Sequence, residues 1–87
     1  MGTNLRIAVQ ILRYLVKNPE AKDTVEGIEM WWRGADLSDW SARDLADTLE
    51  MLTAKGWVSV RGTGKARLFS VNPQLMSEIE EFLTKQP

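Results

Sequence analysis

The 87-residue chain has no cysteine and no histidine. The first absence excludes disulfides and thiol nucleophiles; the two together exclude the usual zinc ligand sets and the imidazole general base. Ser41, Ser59, Ser70 and Ser77 therefore have no histidine to activate them, and a Ser-His-Asp triad cannot be built. Long hydrophobic runs are missing too. No stretch of 18 apolar residues occurs, so no helix is expected to span a membrane. Residues Met1 to Asn4 lack the basic-then-apolar layout of a signal peptide. Arg6 stands where a myristoylation signal needs Ser or Thr. These absences predict a cytoplasmic protein that is not an enzyme, holds no cofactor and no metal, and relies on its core alone for stability.

What is present suits a single globular domain over residues 1–87. The composition is 44% hydrophobic and 26% charged, ordinary for a folded chain. The formal net charge is −1, which gives no global basic field to hold nucleic acid. Its distribution is uneven. Residues 1–18 carry Arg6, Arg13 and Lys17 and no acid, whereas Glu20, Asp23, Glu26, Glu29, Asp36 and Asp39 dominate residues 19–40. Residues 57–72 are purely basic, with Arg61, Lys65 and Arg67, and the tail is acidic again through Glu78, Glu80 and Glu81.

Hydrophobic periodicity predicts a first helix over residues 4–17. Leu5, Ala8, Val9, Leu12 and Val16 share one face, while Ile7, Ile11 and Tyr14 widen the apolar arc. Asn18-Pro19 ends it, because a residue before proline is pushed out of the helical region. A polar link, Glu20–Asp23, leads to a second helix opened by an Asp23/Glu26 capping box, with Val25, Ile28 and Trp32 on one face and a stop at Gly34. Met30 and Trp31 lie off that face. Ser41–Asp44 forms a second capping box, and the third helix runs to Lys55 with a core stripe of Leu45, Leu49 and Leu52. Gly56 is its expected left-handed terminator. Two alternating runs, Trp57–Arg61 and Ala66–Val71, joined by Gly62-Thr63-Gly64-Lys65, predict a β-hairpin. Asn72-Pro73 opens a final helix to Thr84, with Leu75, Ile79 and Phe82 set to cover the wide apolar arc of helix one. The same surface, Ile7, Ile11 and Tyr14, is alternatively where a second copy of the chain would pack in a homodimer.

The order helix, helix, helix, hairpin resembles the winged helix-turn-helix family. Ile11-Leu12-Arg13-Tyr14-Leu15 followed by Asn18-Pro19 is similar to the first helix of bacterial regulators of the MarR and PadR type. The run from Leu45 to Val58 is similar to that family's passage from recognition helix into wing, and Arg67 to Pro73 to its second wing strand and exit. The resemblance implies a mostly α fold with a small β-hairpin: a three-helix core, a two-stranded wing and a C-terminal helix. It also implies a DNA-binding transcriptional regulator in which helix three enters the major groove and the wing touches the backbone. The candidate nucleic-acid contacts are Arg43, Arg61, Lys65 and Arg67.

Helix three departs from that pattern. Opposite its leucine stripe stand Arg43, Asp47, Glu50 and Ala54, with Asp44 beside them, so acids outnumber bases where phosphates would lie. Phosphate neutralisation dominates duplex affinity, and each such carboxylate opposes it. A protein partner is the alternative to double-stranded DNA, with Met30, Trp31 and Trp40 as candidate contacts, because Met and aromatic residues are enriched at interface centres. RNA bound by the basic wing and an exposed aromatic is a third reading. Gly62-x-Gly64-Lys65 is not a phosphate loop, since Ser59 and Ala66 occupy positions where that motif needs Gly and Ser or Thr. Asp36, Asp39, Asp44 and Asp47 are explained by caps and solvated surface rather than by a metal.

Overall fold

A computed structural model of the chain describes residues 2–28, 30 and 41–86. Its elements run α1 (Gly2–Lys17), β1 (Lys22–Asp23), α2 (Val25–Gly27), α3 (Ala42–Ala54), β2 (Val58–Arg61), β3 (Leu68–Val71) and α4 (Met76–Thr84). The described chain is mostly helical, with a small antiparallel sheet in the order β1-β3-β2.

The expected α3 stripe of Leu45, Leu49 and Leu52 is buried and forms one continuous cluster with Leu12, Val58 and Phe69, joining α1, α3 and the hairpin. Ile28 and Ile79 close it from α2 and α4. In α1 the phase differs from the expected one. Ile7, Ala8, Ile11, Leu12 and Leu15 are buried, while Leu5 is 45% exposed. The core-facing line is thus centred on Leu15, roughly a quarter-turn from the Leu5–Val16 stripe. Its cause is that α1 is gripped from two sides, by α3 and α4. Ile7 and Ile11, offered as a surface for a second copy, are thereby covered within the chain itself.

The sheet has three strands where two were expected. Asn18 ends α1 by donating its backbone amide and its side-chain amide to the Tyr14 carbonyl, at 2.8 and 3.0 Å. Ala21 then donates to the Asn18 carbonyl at 2.9 Å, turning the chain so that Lys22 pairs with Ser70 and Asp23 with Phe69. The link read as polar coil therefore supplies the partner that β3 lacks on that side. With Asp23 engaged in β1, the cap of α2 moves one residue on. Thr24 is the N-cap, its Oγ1 accepting from the Gly27 amide at 3.3 Å, and Asp23 Oδ1 accepts from the Thr24 amide at 3.1 Å. Helix α2 ends at Gly27 with Ile28 as its C-cap, and Trp31, Trp32 and Gly34 of the expected second helix lie outside the described residues.

Helix α3 begins and ends as its sequence demands. Ser41 Oγ accepts from the Asp44 amide at 3.0 Å. At the other end Gly56, at φ +83°, lets its own amide reach the Thr53 carbonyl and the Trp57 amide reach the Leu52 carbonyl. This crossed pair satisfies carbonyls that a helix end leaves open. Buried Thr48 donates its hydroxyl to the Asp44 carbonyl at 2.7 Å, so the one polar side chain in the described core is satisfied. Past the hairpin, Asn72 caps Gln74 and also donates its side-chain amide to the Gly56 carbonyl at 2.8 Å. Pro73–Leu75 forms a single 3-10 turn before α4, so the final α-helix starts at Met76 rather than Pro73.

Candidate functional site

The register of the hairpin decides where its bases point. Val58 pairs with Val71, Ser59 with Ser70, Val60 with Phe69 and Arg61 with Leu68. Side chains alternate between faces along a strand. Val58, Val60, Phe69 and Val71 therefore look inward towards the helices, and Ser59, Arg61, Leu68 and Ser70 look outward. Lys22, paired with Ser70, joins the outer set. Arg67, two positions before Phe69, shares its face, and the guanidinium carbon lies 5.5 Å from the Phe69 ring centre.

Arg61 and Arg67, expected to act together as one phosphate-binding wing, are thus on opposite faces of the hairpin. Gly62, at φ +89°, and Gly64, at φ +60°, shape the turn between them. A Cβ at Gly62 would stand 3.2 Å from the Ala66 carbonyl oxygen. Lys65 lies within the 3-10 turn Gly64–Ala66.

Between the inner face of the hairpin tip and the outer face of α3 runs a groove of about 440 Å³. Val25, Leu49, Val60 and Phe69 supply its apolar lining, Ala46 and Ala54 its low α3 wall, and Glu50 and Arg67 its charges. Val60 is 38% exposed although it shares the inward parity of buried Val58 and Phe69. A second hollow of about 580 Å³ adjoins it through Val25 and Arg67, and extends to Glu26 and the turn residues Gly62–Gly64. Glu26 and Glu50 are exposed, and among the described residues neither is paired with a cation.

Arg43, Asp47 and Glu50 are all exposed along α3, as expected from its periodicity. Asp47 and Glu50 share with Arg43 the exposed face of α3 and interrupt its positive charge there. Of the candidate partner contacts, Met30 is 69% exposed, while Trp31 and Trp40 lie outside the described residues. So do Asp36 and Asp39. Asp44 is half-buried in the first turn of α3, its amide serving the cap. Among the described residues no group of three acidic side chains comes together in a way that would hold a metal ion. No described helix is long and apolar enough to cross a membrane.

The groove itself went unread in the sequence. Its signal was there: Val60 and Phe69 on one face of a hairpin, opposite the alanines of α3. Placing them against one another requires the register of β2 on β3, which the sequence left open. No family model, no curated protein and no solved structure matches the chain.

Proposed function

We propose that the chain is a winged helix-turn-helix domain used for protein contact, with the α3–hairpin groove as its docking surface. The element order, the hairpin beside the third helix and the core they share support the winged-helix reading. One observation carries the choice of partner. The face of α3 that would enter a major groove exposes Asp47 and Glu50 beside an apolar trough, and only Arg67 of the two described hairpin arginines points into it. A duplex there would bring phosphates against carboxylates, and phosphate neutralisation is the main source of duplex affinity. A protein surface is better matched, since interface cores are apolar with few charges. The chain is on this reading a binding domain, not an enzyme.

The test is a pair of measurements on the full chain. A random duplex titrated at about 50 mM salt, where phosphate contacts are strongest, should leave the α3 and hairpin amide resonances unmoved. A protein retained from the native extract should be lost with Val60→Asp while circular dichroism shows the fold intact. Saturable, salt-steep duplex binding that perturbs Asp47 and Glu50 overturns the reading.

A second reading, duplex DNA held by the hairpin, is favoured by the absence of any acid in residues 57–72 beside Arg61, Lys65 and Arg67. On that reading changing all three to Ala flattens the slope of log affinity against log salt by roughly 2–3. Asp47→Asn with Glu50→Gln then strengthens binding.

A further inference from the structure

We infer that the occupant of the α3–hairpin groove is a basic peptide segment of a partner protein. One of its apolar side chains sits on Val60 and Val25, and its Lys or Arg side chains meet Glu50 and Glu26. The inference rests on the protein-contact reading and adds the chemistry of the partner.

The shape comes first. The two hollows, about 440 and 580 Å³, share Val25 and Arg67 and so form one trough from α3 to the hairpin turn. It is open along its length. Small-molecule sites enclose most of their ligand's surface, which this trough cannot do, whereas a chain segment laid along it needs only one covered side. The lining is suited to close approach. Ala46 and Ala54 keep the α3 wall low, and Gly62 and Gly64 do the same at the turn. Between them exposed Val60 and half-buried Val25 offer the apolar floor on which an aliphatic side chain is desolvated, at roughly 25 cal/mol per Å² of area covered, with the buried Phe69 ring beneath.

The charges then select among segments. Among the described lining residues the ionised groups are Glu26, Glu50 and Arg67. The guanidinium of Arg67 is laid against the Phe69 ring, a contact with the ring's negative face. The two carboxylates have no such engagement: both are exposed and unpaired among the described residues. Asp47 stands on the same exposed face of α3, one turn before Glu50. That is well inside the screening length of about 10 Å at 0.1 M salt. An acidic segment entering the trough meets Glu26 and Glu50, with Asp47 close by on α3 outside the lining. A basic one neutralises them, and such complementarity acts on both specificity and encounter rate.

The experiment uses three synthetic peptides of about 14 residues with identical apolar positions and Lys, Gln or Glu at the polar ones. Each is titrated into the isotopically labelled full chain. The Lys peptide should shift Ala46, Glu50, Val60 and Phe69, and should weaken with salt. The Gln peptide should bind more weakly and the Glu peptide not at all. Glu26→Gln with Glu50→Gln, both exposed and harmless to folding, should weaken the Lys peptide about 5- to 10-fold, the sum of two exposed pairs. Equal binding of the Lys and Gln peptides in the trough overturns the basic partner and leaves the protein-contact reading standing. Shifts confined to other surfaces, or silence from the Lys peptide at millimolar concentration, overturn the inference. A duplex that shifts the trough when no peptide does overturns both.

Discussion

The two faces of the hairpin are made from the same short stretch of chain and do opposite things. The inner face carries Val58, Phe69 and Val71, which are bound into the core, then exposed Val60, with Arg67 at its outer end. The outer face carries Ser59, Arg61, Leu68 and Ser70, extended by Lys22 of β1, and is exposed at every one of these side chains except half-buried Ser70. The stretch is uniformly basic as a sequence, yet its charge is not a property of the hairpin. It belongs to one face or the other, and only the charge on the inner face shares a space with α3. A basic run in a β element therefore says little about binding until the parity of each residue is known.

The largest expected difference between the faces is in stability. Phe69→Ala should cost about 3–5 kcal/mol in urea unfolding, whereas Leu68→Ala, at a side chain 41% exposed, should cost under about 1 kcal/mol. Comparable losses at the two positions would show that the outer face is covered and that the division is false. Next comes Val60→Ser. Its effect on unfolding should stay within about 1 kcal/mol, while any ligand of the trough should lose at least several-fold in affinity, read by titration. A change in stability without a change in binding breaks the link between trough and function. Smaller still is the effect of charge on the outer face. Arg61→Ala with Lys22→Ala should leave trough binding unchanged; if duplex DNA uses that face, the same variant should lower its salt slope by about 2. The smallest is at the exposed Glu81–Lys85 pair, 3.8 Å apart on α4. Lys85→Ala should shift the unfolding midpoint by no more than about 0.5 kcal/mol implies, because such pairs contribute little.

Much of the core was legible. Leu45, Leu49 and Leu52 fall on one narrow helical stripe, and Val58 and Phe69 alternate with polar neighbours, so a single phase fits each. Helix α1 offered no such choice. With Leu5, Ile7, Ala8, Val9, Ile11, Leu12, Tyr14, Leu15 and Val16 all apolar, its arc is too wide to show a centre, and only the position of α3 and α4 makes Leu15 that centre. The strand β1 was invisible because its two residues, Lys22 and Asp23, carry no alternation; it exists because β3 has an open edge, a fact about residues far along the chain. The separation of Arg61 from Arg67 was hidden for a related reason. Which face each takes depends on how many residues the turn consumes, and the glycines at 62 and 64 allow more than one count.

The pairing of Lys22 with Ser70 and of Asp23 with Phe69 has a further consequence, for how the molecule opens. It closes a loop of about 48 residues with only a two-residue ladder, and loop closure costs more as the loop lengthens. Such a ladder is the first part of the sheet to release in local unfolding, well before α1 or α3. Its amides should exchange with solvent fastest among the strands. Val25 and Glu26 follow it after only the cap residue Thr24, so that end of the trough loosens with each opening while the α3 wall keeps its shape. A visiting peptide would meet one fixed bank and one that yields, and its bound state should slow exchange most at Lys22 and Asp23, residues it never touches.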